Sequence, residues 1–254
     1  MIEFQQLTRT YGDFTAVQPL THTVNAGEVF GFLGPNGAGK TTTIRMMMGI
    51  LVPSGGRALI AGLDCHTQRA EVQRHVGYLP DNPVYYDFLR GREILRFVAE
   101  MHGMPRDDAE RRAVEMLGEF GLHDVVEEFA VNYSMGMKKK LGLACALIHD
   151  PRVLILDEPI NGLDPRAARD VQDRLRQAAA AGKTIFMSTH LLDMAEKICT
   201  RIGIIHRGGL VATGSLAELR LRVSGDASLE EVFLKVTEDR VDEDGAKESV
   251  STAP

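Results

Sequence analysis

The chain has 254 residues, 44% hydrophobic and 25% charged, with 29 Lys and Arg against 35 Asp and Glu for a net charge of −6. That length accommodates one large core and a smaller lobe, and the acidic balance gives no electrostatic footprint for a nucleic-acid partner. No apolar run approaches the ~18 residues of a membrane helix, and the opening MIEFQQLTRT does not read as a signal peptide. The three cysteines, Cys65, Cys145 and Cys199, have neither metal-ligand spacing nor a disulfide framework, and are expected to be buried thiols in a reducing compartment.

In chain order, Ile2–Thr8 and Leu20–Val24 read as antiparallel strands around a turn at Tyr11-Gly12-Asp13. Val29–Leu33 is a short apolar run typical of a buried strand, and Thr41–Met48 can continue as a helix. Strand signals then fade between about Val84 and Ile148. Helical patterns replace them over Arg90–Met101, Arg106–Phe120 and Ser134–Ile148. The basic run Lys138-Lys139-Lys140 is read as a solvated helix face. Val153–Leu156 and Thr184–Ser188 restore the strand pattern, with a helix over Ala167–Ala181 between them, a βαβ unit. Leu216–Thr237 is helical in pattern, and the acidic stretch that follows is expected to be disordered. Alternating strands and helices predict an α/β fold around a largely parallel sheet.

The junction between the Val29–Leu33 strand and the helix carries the chemistry. Residues 34–41 read GPNGAGKT, a complete G-x-x-x-x-G-K-[ST] loop in its strand–loop–helix context. Glycines let successive backbone N–H groups turn toward a phosphate, and the helix N-terminus adds its positive end. Lys40 is placed to reach the outer phosphates of a nucleoside triphosphate, and the Thr41 hydroxyl to hold Mg²⁺. Farther on, Leu154-Ile155-Leu156-Asp157-Glu158 is an apolar strand ending in two carboxylates. Beside a phosphate loop, Asp157 fits a position near the metal, and Glu158 fits a base that polarises an attacking water. His190 leaves the next strand and serves equally well as a structural histidine or a γ-phosphate contact. Ser134 is a plausible N-cap, and with Gly136 it forms either a simple helix start or an anion-binding one.

Taken in order, GPNGAGKT (34–41), YSMGM (133–137), LILDEP (154–159), NGLDP (161–165) and STH (188–190) resemble the ATP-binding subunit of ABC transporters over nearly the whole chain. The resemblance implies a P-loop NTPase (RecA-like) α/β core, 1–82 and 150–215, with an antiparallel β subdomain at its N-terminal end. It also implies an inserted helical subdomain over 83–149, followed by a C-terminal helical segment at 216–237 and an acidic tail at 238–254. ATP and Mg²⁺ are the implied cofactors. Tyr11 looks like the aromatic that stacks on adenine. Gly34, Pro35, Asn36, Gly37, Ala38, Gly39, Lys40, Thr41 and Thr42 look like the phosphate contacts. Ser134 and Gly136 look like the signature contacts to ATP on a second ATP-binding subunit, in a homodimer or heterodimer. Asp164 looks like the acid coupling two sites, and Glu158 and His190 like the catalytic pair. The implied transport partner is a separate transmembrane permease, which places the chain at the cytoplasmic face of the inner (plasma) membrane. The style of the signature segment, with Ala227–Phe233, is similar to bacterial ABC-2 type exporters.

Four positions depart from the family pattern. Asp81 stands where glutamine is usual, retaining an oxygen ligand for Mg²⁺ beside Thr41 and Asp157 while adding a negative charge. Met135 and Met137 replace a glycine and a glutamine in the signature, and Ile160 replaces a small polar residue. Tyr85, Tyr86 and Phe88, just after Asp81, are candidates for the groove that receives the permease. Competing readings are a soluble non-transport ABC-type ATPase, a small-molecule kinase, and a nucleotide-binding regulator with low turnover. The first usually needs coiled-coil insertions or tandem cores that do not fit 254 residues; the kinase has no use for the signature or NGLDP segments.

Overall fold

A computed structural model of the chain describes residues 1–223 and 227–238. The first half contains strands β1 (Ile2–Tyr11), β2 (Phe14–Val24) and β3 (Val29–Leu33), helix α1 (Lys40–Met47), strands β4 (Gly55–Ile60) and β5 (Leu63–Asp64), helix α2 (Arg69–His75) and strand β6 (Val76–Leu79). Helices α3 (Gly91–Met101), α4 (Arg106–Glu119) and α5 (Met135–Leu147) follow, then β7 (Val153–Asp157), α6 (Pro165–Ala180), β8 (Thr184–Thr189), α7 (Leu192–Ile198), β9 (Arg201–His206), β10 (Gly209–Gly214) and α8 (Leu216–Leu221). A last helix, α9, covers 229–238.

Two sheets result, ordered β2-β1-β4-β5 and β10-β9-β3-β8-β7-β6. The first is antiparallel throughout. In the second, β9, β3, β8, β7 and β6 run parallel, with β10 antiparallel at one edge. Strands β3, β7 and β8 are buried at every residue, as expected where both faces of a parallel sheet are covered. One face packs with α1 against the antiparallel sheet, and Phe4, Phe30 and Phe32 surround Phe186 at centroid distances of 5.4–5.9 Å. On the other face, Leu154, Leu156 and Met187 join Leu95, Leu117, Leu141 and Leu175 from the helices. A third cluster, Ile202, Ile204, Leu219, Leu229 and Val232, seats α8 and α9.

Strands β3, β7 and β8 and the three helices from 91 to 147 follow the sequence pattern, whereas other elements depart from it. The first hairpin continues to its turn, pairing Thr10 with Thr15 and Tyr11 with Phe14. Its outer residues are exposed, so no burial alternation marks them. Strands β4, β9 and β10 carry glycines and no clear alternation, which hides them from a pattern reading. The C-terminal pattern divides into α8 and α9, and the acidic tail after Glu238 lies outside the described residues. Cys65 is buried as expected, but Cys145 and Cys199 are only half-buried. The solvated lysine face is corrected at its centre: Lys139 is buried, because α5 turns that position toward the sheet.

Close backbone approach fixes α5 on the sheet. A Cβ at Gly77 of β6 would lie 1.9 Å from the Ala146 carbonyl oxygen. Just beyond α5, the His149 Nε2–H meets the Val76 carbonyl at 3.2 Å, and the ring stacks on His102 with centroids 3.5 Å apart. Burial, then the neighbouring His102, pushes the His149 pKa down from 6.5 to about 4. Between those values the unfolded chain binds the proton and the folded chain does not. Stability should therefore fall as pH drops from about 6.5 toward about 4. Denaturant midpoints at about pH 7 and about pH 5.5 should differ less in His149→Asn than in the parent, and an equal difference would remove His149 from the effect.

Candidate functional site

Strand β3 ends at Leu33 and the chain turns through residues 34–39 into α1. Gly39 occupies the cap position with φ +104°, a conformation L side chains avoid. A Cβ there would also meet the Ala16 carbonyl oxygen at 2.6 Å. Since no side chain caps α1, its first N–H groups are left for an anion. Lys40, the first helical residue, is buried. Its ammonium donates to the Gly34 and Pro35 carbonyls at 2.7 and 3.2 Å and lies 3.2 Å from Glu158 Oε1. Three loop and carboxylate oxygens thus occupy the lysine where a triphosphate would bind.

The carboxylates are organised by Ser188 on β8, whose strand lies between β3 and β7. The Ser188 hydroxyl donates to Asp157 Oδ1 at 2.5 Å and accepts from the Glu158 N–H at 3.0 Å. His190 Nδ1 lies 3.0 Å from Glu158 Oε2, so Lys40 and His190 hold the two oxygens of one carboxylate. Burial raises the Asp157 pKa, and hydrogen bonds from Ser188 and Thr41 pull it partly back. A carboxylate destabilised by desolvation, next to a threonine hydroxyl, is an oxygen donor set suited to a hard divalent cation. Thr41 and Asp157 therefore fit Mg²⁺.

Tyr11, Phe14, Asn36, Gly37, Gly39, Lys40, Thr41, Thr42, Asp81, Glu158 and Asn161 line one cleft of about 520 Å³. Nine of these are sequence candidates brought together from β1, the loop, α1 and the segments after β6 and β7; Phe14 and Asn161 were missed. Phe14 is exposed in a hairpin whose extent the pattern did not reveal, and Asn161 lies in a turn selected for other positions. Tyr11 carries the Arg9 guanidinium over one face of its ring, 4.4 Å from the centroid. Gly34, Pro35 and Ala38 are in the loop without lining the cleft.

Ser134, Gly136 and Asp164 do not line that cleft either. Ser134 is the N-cap of α5, accepting from the Met137 N–H at 3.2 Å, and is exposed. Gly136 packs against α6, where a Cβ would approach the Ala167 Cβ to 3.3 Å. Asp164 caps α6 by accepting from the Arg166 and Ala167 N–H groups, and Pro165 follows at the first helical position. These bonds hold its carboxyl below the usual range. Asp81, on the wall of that cleft, has its Oδ1 3.5 Å from Lys139 Nζ and accepts from the Asn82 side-chain amide through Oδ2 at 3.1 Å.

A phosphate loop at a strand–helix junction, with a carboxylate pair two strands away in a parallel sheet, defines the class of P-loop nucleoside triphosphatases. Residues 17–161 match the ABC transporter family model. The chain is 36% identical over 244 residues to the probable multidrug ABC transporter ATP-binding protein YbhF of Escherichia coli (strain K12), covering 94% of this chain and 42% of that protein. It is 33% identical over 230 residues to the linearmycin resistance ATP-binding protein LnrL of Bacillus subtilis (strain 168), covering 91% of this chain and 74% of that one. A solved ATP-binding subunit of an ABC transporter superposes with a TM-score of 0.86 at 34% identity, over 93% of this chain and 99% of the other. The chain belongs to the ABC transporter family.

Removing the shared hydroxyl should show its structural weight. Ser188→Ala leaves the buried Glu158 N–H and Asp157 oxygen without that partner and should cost about 1–3 kcal/mol in denaturant unfolding. A loss under about 0.5 kcal/mol would mean that solvent replaces it.

Proposed function

We propose that the chain is the ATP-binding and ATP-hydrolysing subunit of an ABC transporter, driving a separate membrane permease from the cytoplasmic face of the plasma membrane. The observation that carries this reading is that Lys40, Thr41 and Glu158 line one cleft, with His190 bonded to Glu158 and Asp157 to Thr41 behind it. Among the described residues no helix is long and apolar enough to cross a membrane. The names of YbhF and LnrL support drug or antibiotic export, the ABC-2 type, as the task of the assembly.

In this reading ATP enters by exchange. Its terminal phosphate takes the place of the Glu158 carboxylate on Lys40, and that carboxylate turns to an attacking water. Bound Mg²⁺, held by Thr41 and Asp157, would neutralise phosphate charge. Glu158 accepts the water proton as oxygen bonds to the γ-phosphorus and the β–γ bridge breaks, giving ADP and phosphate. His190, bonded to the other Glu158 oxygen, orients the base. Ser134, exposed, and Gly136, half-buried beside it, both lie outside their own cleft and suit a contact with ATP held by a second ATP-binding subunit, a copy of this chain or a relative. Asp164, beside α6, suits the same interface.

Glu158→Gln should lower the ATPase kcat by about 10²–10⁴-fold while ATP still binds. Light scattering should show the variant accumulating as an ATP-bound dimer. Undiminished turnover would remove Glu158 as the base, and a parent that binds ATP without hydrolysis would favour a regulator.

The helical segment 83–149 offers a docking face. Tyr86 and Phe88 are 64% and 72% exposed, with ring centroids 6.0 Å apart. Tyr85 is corrected as a third member: it turns inward, and its hydroxyl donates to the Lys138 carbonyl at 2.8 Å. Tyr86→Ala with Phe88→Ala should abolish co-purification with the permease while leaving ATP binding intact; retained assembly would place the dock elsewhere.

A further inference from the structure

Lys139 lies 1% exposed on α5, five residues after the helix cap. Its ammonium donates to the Glu158 carbonyl at 2.5 Å and faces Asp81 Oδ1 at 3.5 Å. Burying an unpaired ammonium costs several kcal/mol, so this position demands a counter-charge. Burial lowers the Lys139 pKa, with Asp81 the foremost influence opposing it. The carbonyl it grips belongs to a residue in unusual geometry. Glu158 has φ +47°, a left-handed conformation costing on the order of 1 kcal/mol or more for a residue with a side chain. Such a conformation persists only when surrounding contacts over-determine it. Ser188 holds the Glu158 N–H, Asn161 donates its N–H to the Glu158 carbonyl at 3.2 Å, and Lys139 holds the same carbonyl from the other side.

We infer that Lys139 is a positioning residue for Glu158, acting through the Glu158 carbonyl, and that Asp81 is the counter-ion paired with this buried lysine. The catalytic consequence rests on the proposed ATPase reading; the charge pairing does not. Asp81 and Lys139 form a matched couple: an acid after β6 and a base on α5 that are tolerated together and costly apart. Because Lys139 stands little more than one turn from Ser134, the same side chain joins the exposed start of α5 to the base of its own cleft.

The test compares the parent with Asp81→Asn, Lys139→Gln and the double variant. Without nucleotide or Mg²⁺, each single change should lower Tm, and the double should lie clearly above the sum of the two losses. In MgATP kinetics, Lys139→Gln should reduce kcat by about 10-fold with KM changed less than about 3-fold, the mark of a misplaced base. The double variant should be no more active than Lys139→Gln alone, because it still lacks the lysine, with the Mg²⁺ half-saturation unmoved. Additive Tm losses would overturn the pairing. A raised Mg²⁺ half-saturation in Asp81→Asn, unrescued by the second change, would make Asp81 a metal ligand instead. An inactive parent would sink the ATPase reading alone, since the nucleotide-free Tm cycle still decides the couple. Should Lys139→Gln fail to fold, Lys139→Arg in both Asp81 backgrounds closes the same cycle, and the pairing fails if Asp81→Asn costs the arginine form nothing.

Discussion

One hydroxyl group, on Ser188, sets the geometry of the site. By donating to Asp157 and accepting from the Glu158 backbone, it fixes the end of β7 relative to β8 at the depth where β3 releases the phosphate loop. Each of the three strands is fully buried, so none can slide without breaking a ladder in a place water cannot repair. The site inherits the precision of the sheet. The left-handed turn at Glu158 follows directly on a strand paired along both edges.

Electrostatically the cleft is closed upon itself. Lys40 is bonded to its own loop and to Glu158, His190 to the other oxygen of that carboxylate, and Lys139 to Asp81. Such internal neutralisation lets cations and anions share a buried space at tolerable cost. It also means that ATP binding rearranges existing partners and does not fill a field of unsatisfied charge.

Much of this was legible in the sequence because the relevant signals are local. The phosphate loop occupies eight consecutive residues, the carboxylate pair two, and β3, β7 and β8 are short apolar runs that a buried parallel sheet requires. What escaped depended on long-range packing. Lys139 lies in a run of three lysines, and nothing local says that the middle one turns inward toward residues at 81 and 158. Tyr85 and Tyr86 are adjacent and chemically alike, yet one hydroxyl finds a backbone carbonyl and the other ring faces solvent. Strands β4, β9 and β10 are held by neighbours that supply their register, so their own glycine-containing sequences did not announce them.

The contact between Gly77 and the Ala146 carbonyl has a mechanical consequence. With no side chain interposed, β6 and the last turn of α5 touch backbone to backbone, and there is no layer of rotamers to absorb shear. A force applied to the far end of α5 is therefore transmitted along the helix into the sheet with little compliance. Beyond the contact, β6 runs on into the irregular stretch 80–90 and α5 into 148–152, so bending falls outside the strand–helix pair while the pair itself carries the load as a strut.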